Sequence, residues 1–168
     1  MVRSIAETLP FVDASFDRVI CQGSLDHFAD AHAFMREAAR ILKPDGRVVI
    51  ALANFESLSC RLGRGVDRIK RRLGRLRPPW RPYWIIPDDH NVKGDMAFIR
   101  ALGGNVLALD HVRGISLLWL FSRYGQALDA LPAGAARAIW RSLDAAARLR
   151  PEASDMIISV WRRREASR

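Results

Sequence analysis

The sequence predicts an α/β fold built on parallel strands, and three observations carry that expectation. Residues 17–21 (DRVIC) and 47–53 (RVVIALA) are short runs with β-branched centres, the pattern of strands buried on both faces. Between them, Phe34, Ala38, Ile41 and Leu42 recur at helical spacing behind Asp30, a side chain suited to capping, and Pro44 with Gly46 ends the helix in a turn. The connections on either side are short, and a strand, helix and strand joined this way close as a right-handed parallel crossover.

After Asn54 the pattern changes, and residues 55–87 read as a basic insertion or lid within a single domain spanning 1–168. Leu62, Val66, Ile69, Leu73 and Leu76 fall at alternating steps of four and three, one apolar stripe with arginines and a lysine on the other faces. This predicts an amphipathic helix over 62–76, weakened at Gly63, Gly65 and Gly74 and stopped by the prolines that follow. Its stripe suits either packing over a ligand site as a lid or docking on an anionic membrane surface. Downstream, a helix is expected over 93–102, ended by Gly103 and Gly104, and a strand over 105–109. Another helix follows over 135–148, then a last strand over 155–161 (DMIISVW) that runs into a frayed basic tail.

The chain of 168 residues is 49% hydrophobic, enough for one buried core. Its net charge is +9, but nine basic residues against the single Asp67 lie between Cys60 and Trp84, so the rest is nearly neutral. Nucleic acid is not the favoured partner, because no aromatics interleave through the helix and no recognised nucleic-acid fold surrounds it. Cys21 and Cys60 have no metal-like or redox-like spacing, and no signal core or membrane span is evident, so the expected setting is cytoplasmic, with peripheral membrane association left open. No paired-cysteine, His-Glu-x-x-His or clustered-carboxylate motif predicts a metal.

Residues 6–17 (AETLPFVDASFD), 27–30 (HFAD) and 37–50 (EAARILKPDGRVVI) together resemble, in order and spacing, the class I S-adenosylmethionine-dependent methyltransferases that act on small molecules. The match is looser from residue 88 to 164. The resemblance implies a partial Rossmann-like sheet holding strands 4 to 7 of that family, one of them antiparallel, with helices on both faces. The glycine-rich loop and ribose carboxylate that precede this block in the family have no counterpart, which implies an incomplete domain. Strand 17–21 would then keep an unpaired outer edge prone to self-association.

By the same resemblance the cofactor is S-adenosyl-L-methionine, with Ala6 and Glu7 beside the adenine and Gln22, Gly23 and Ser24 beside the methionine part. Ile5 stands where the family usually has an acidic partner for the adenine amino group. In open parallel sheets, ligands sit beyond the carboxyl ends of the strands, where Gln22 to Ser24 emerge. His27 and His90 are the candidate bases, since imidazole titrates near working pH. Asn54, at the end of the second strand, and the aromatics Tyr83, Trp84 and Trp119 are candidates for contacting a small-molecule or lipid-like methyl acceptor. The alternative is a non-catalytic accessory half that pairs with another chain or docks on a membrane.

Overall fold

The computed structural model describes residues 2–75, 82–119 and 124–164. In chain order they form strand β1 (Phe16–Gln22), a 3-10 turn (Leu25–His27), helix α1 (Ala31–Ile41), strand β2 (Leu42–Ala53) and helix α2 (Leu58–Arg72). Helix α3 (Met96–Leu102), strand β3 (Leu107–Ile115), helices α4 (Tyr124–Asp129) and α5 (Ala133–Leu149) and strand β4 (Met156–Arg163) follow. The fold is mixed α/β with one four-stranded sheet, in the order β1-β2-β4-β3. β1 and β2 are parallel, while β4 runs antiparallel to both of its neighbours.

The crossover forms for the reasons the sequence provides. Asp30 caps α1, its Oδ1 accepting from the amides of His32 at 2.8 Å and Ala33 at 3.0 Å. The helix buries Phe34, Met35, Ala38, Ala39 and Ile41. Phe34, Met35, Ala38 and Ala39 pack with Val48, Ile50 and Leu52 of β2, Ile99 and Leu102 of α3, and Ile157 and Trp161 of β4 as one core. Each fully buried Leu or Ile there contributes about 1.5–3 kcal/mol. The indole N–H of Trp161 donates to Ser159 Oγ at 2.9 Å, so the largest core side chain carries no unpaired donor.

Several boundaries differ from expectation. The Lys-Pro-Asp-Gly turn lies inside β2, which begins at Leu42: Phe16 pairs with Leu42 and Arg18 with Arg47, so residues 43–46 loop out as an irregularity in the ladder. α3 starts at Met96 because the Asp95 side chain caps the Phe98 amide at 2.8 Å. β3 extends to Ile115 and β4 to Arg163, since each completes pairing with the other from Leu107–Arg163 to Ile115–Met156. Residues 162 and 163 therefore belong to the sheet.

β1 is not buried on both faces. Val19 and Cys21 share the core side with Val48 and Ile50, but Ile20, facing the other way, is 71% exposed. α5 buries only Ala147 and leaves Ile139, Trp140 and Leu149 exposed, so cover on the second face is thin.

The amino-terminal segment is tied down by charge rather than by apolar packing. Glu37 Oε1 accepts from the Leu9 amide at 2.7 Å, and Arg40 donates to Glu37, Asp13 and the carbonyls of Leu9 and Phe11. Hydrogen bonding to Arg40 holds the Glu37 carboxyl below its ordinary range.

Candidate functional site at the carboxyl ends of β1 and β2

The two parallel strands end side by side, and one loop crosses both ends. β1 stops at Gly23, which adopts a left-handed φ of 59° while its N–H donates to Ala51 on β2 at 3.0 Å. That conformation needs glycine. The 3-10 turn follows, carrying Asp26 and His27. Over it lies the segment 87–94. Asn91 donates from its backbone to the Asp26 carbonyl at 2.7 Å and from its side chain to the carbonyls of His27 and Phe28 at 3.2 and 3.1 Å. Gly94 seals the other side: its carbonyl accepts from Phe55 at 2.9 Å, and a β-carbon there would collide with the Ala53 carbonyl at the end of β2.

This strap brings Asp26, His27 and His90 together. His90 Nδ1 stands 3.1 Å from Asp26 Oδ2, and the ring meets His27 edge to face at 4.5 Å and Phe55 at 6.0 Å. Asp26 is only 4% exposed, and its Oδ1 has no hydrogen-bond partner among the described residues. His27 is more open, its Nδ1 lying 3.1 Å from the Asp89 carbonyl. The two candidate bases, far apart in sequence, thus share one site. Asp26 and Asn91 escaped sequence reading; their only signal is adjacency to His27 and His90.

The other candidates lie at the strand ends and around α2. Gln22 is exposed, and Ser24 Oγ contacts the Cys21 thiol at 3.3 Å, a thiol whose pKa is raised by burial. Ala6 packs partly against the core, while Glu7 accepts from the Asp30 amide at 3.1 Å. Asn54 is held by hydrogen bonds at the end of β2. It is 2% exposed, donates to the carbonyls of Glu152 and Ser154 at 3.1 and 2.8 Å, and accepts from the Glu56 amide at 3.0 Å, which uses both its N–H groups to lock β2 to the start of β4.

Tyr83 donates to the Ser59 carbonyl at 2.9 Å, and Trp84 lies over Gly63, where a β-carbon would strike its ring; both aromatics anchor α2. Burial raises the Tyr83 pKa. The Trp119 amide donates to Asp155 Oδ2 at 2.7 Å, and its side chain is 68% exposed.

α2 begins at Leu58, capped by Ser57, and ends at Arg72, with Gly74 just beyond it at φ 63°; Leu76, Arg77 and Arg81 of the expected stripe and charge run lie outside the described residues. It packs through Ser59, Cys60 and Gly63. Leu62, Val66, Ile69 and Leu73 remain between 40% and 60% exposed. Among the described residues no helix is long and apolar enough to cross a membrane.

Comparison with known proteins agrees with this geometry. Residues 1–50, which cover β1, α1 and most of β2, match the family described as methyltransferase domain. Over 76 residues the chain is 49% identical to the uncharacterized methyltransferase YcgJ of Bacillus subtilis, a match covering 44% of this chain and 27% of that protein. Over 51 residues it is 45% identical to a demethylmenaquinone methyltransferase of Corynebacterium efficiens, covering 30% and 22%. A SAM-dependent methyltransferase from Thermotoga maritima superposes with a TM-score of 0.56 at 16% identity, covering 97% of this chain and 63% of that one. The PH0226 protein of Pyrococcus horikoshii gives 0.50 at 15% identity, covering 96% and 57%. The chain spans less than two thirds of each of these relatives. Residues 1–50 thus resemble a methyltransferase domain, and the fold as a whole is shared with a solved methyltransferase structure.

Proposed function

We propose that this chain is part of an S-adenosylmethionine-dependent methyltransferase whose small-molecule or lipid-like acceptor binds beside the carboxyl ends of β1 and β2. The observation that supports the reading is the convergence of Asp26, His27 and His90 at that crevice, within and next to the segment matched by the methyltransferase family. S-adenosylmethionine, when bound, supplies a methyl group on a sulfonium, an activated leaving group. The chain's own contribution is to position the acceptor and take its proton.

The residues present fit that cofactor in part. Gly23 offers open space on its α-carbon at the strand end, as a backbone approached by a ligand should, and Gln22 and Ser24 flank it. Among the described residues no glycine-rich loop joins a strand to a helix, and Gly63 and Gly65 lie inside α2. The supports for the methionine end and the ribose would therefore come from a further strand and loop beside the free edge of β1.

In this reading His90 is the base and Asp26 the residue that positions it. With radiolabelled S-adenosylmethionine and a panel of phenol and quinol acceptors, His90→Gln is expected to lower kcat by about 100- to 10,000-fold with little change in KM. Unchanged turnover in that variant would remove His90 from the chemistry. A second reading rests on the exposed stripe of α2 beside its cations: the helix docks the protein on an anionic membrane, where an apolar acceptor would be presented.

A further inference from the structure

We propose that Asp26, His27 and His90 form a binding site for one divalent transition-metal cation of the zinc class. Each offers one ligand atom, and all three atoms lie within 4.8 Å of one another. Two of the three side chains carry spare valence in a buried place: Asp26 Oδ1 and His90 Nδ1 are both enclosed without a hydrogen-bond partner among the described residues. Leaving such atoms unsatisfied is costly, and a bound cation is one way of satisfying both.

The spacing has the same meaning. His90 Nδ1 approaches Asp26 Oδ2 to 3.1 Å without the alignment of a hydrogen bond. Ligand atoms held at about 2.0–2.2 Å from a single ion stand about 3 to 3.5 Å from each other, so the pair already has the separation of neighbours around a metal. His27 supplies the third position. Its Nδ1 lies on the Asp89 carbonyl at 3.1 Å, and donation there leaves the lone pair on Nε2, the outer-shell arrangement that orients a metal-bound imidazole.

Two imidazoles and one carboxylate suit a borderline transition metal and not magnesium or calcium, which take oxygen ligands. With only three protein ligands, and with His27 on the open side, the ion would keep positions free for water or an acceptor oxygen. A bound ion would occupy the His90 lone pair that the proposed base uses, so the metal-bound and base forms are alternatives, and metal binding is read out separately from turnover.

The test uses the full chain, stripped of metal with a chelator, titrated with Co2+ by visible absorption and with Zn2+ by calorimetry. One ion per chain is expected. Asp26→Asn and His90→Gln should each weaken Co2+ binding by more than about 100-fold, beyond the loss of an outer-shell partner, while His111→Gln leaves it unchanged. In the unsubstituted chain, Zn2+ should protect His27 and His90 from diethyl pyrocarbonate but not His32 or His111, a readout that does not depend on a variant folding. Absence of saturable binding, binding that survives both substitutions in folded protein, or equal modification of all four histidines would overturn the proposal.

Discussion

Single side chains decide how this chain's loops are held, and the most exacting positions are two glycines and one carboxylate. Gly23 has a left-handed backbone with nothing within 4 Å of where a β-carbon would lie, so Gly23→Ala meets strain but no collision. A loss of about 1–2 kcal/mol in denaturant unfolding is expected. Gly94 differs, because its β-carbon would meet the Ala53 carbonyl and drive the strap off β2. Glu37 links α1 to the Leu9 amide and to Arg40, and its carboxyl is held low chiefly by the Arg40 hydrogen bonds. A depressed native pKa means that this stability is present above the unfolded value, about 4.3, and is lost as pH falls through the native one. Glu37→Gln should cost about 1–2 kcal/mol at neutral pH and flatten the acid limb of a stability-versus-pH curve below about pH 4. An unchanged acid limb would remove Glu37 from that role.

At the scale of elements, the sequence was most legible where periodicity and local chemistry coincide. α1 sits where the Phe34, Ala38 and Ile41 spacing puts it, behind Asp30, because capping and burial act on the same few residues. The ends of β2, β3 and β4 were not legible, since a strand continues as long as its neighbour supplies partners. α2 shows the limit of pattern reading. Its stripe was visible, but the face that packs is Ser59, Cys60 and Gly63, chosen by the shape of Tyr83 and Trp84. If the stripe serves membrane docking, the chain should co-sediment with anionic vesicles more than with neutral ones. Changing Ile69 and Leu73 to Ser, which keeps every charge, should abolish the difference. Equal binding to both vesicle types, or binding insensitive to that double change, counts against docking.

For the molecule as a whole, the consequential feature is the free side of β1. Among the described residues β1 pairs only with β2, and Ile20 projects from it into solvent. An unpaired edge beside an apolar, uncovered face invites another strand. Self-association in sedimentation at roughly tens of micromolar is therefore expected, reduced by Ile20→Lys, a substitution that at so exposed a position should alter stability by less than about 0.5 kcal/mol. A stable monomer with slow amide exchange at Val19 and Ile20 would refute this.

The sequence by itself determined the α/β class, the β1-α1-β2 crossover, the Asp30 cap of α1 and the methyltransferase resemblance. All of these reside in contiguous residues whose spacing and turn chemistry act locally. Only the tertiary structure decided that His90 meets Asp26 and His27, that Asn54 is a buried brace, that Trp119 faces solvent and that α2 leaves its apolar stripe uncovered. Those outcomes depend on which loops cross which strand ends. That is a matter of long-range packing, where one side chain's partners lie on elements its own neighbourhood in sequence does not specify.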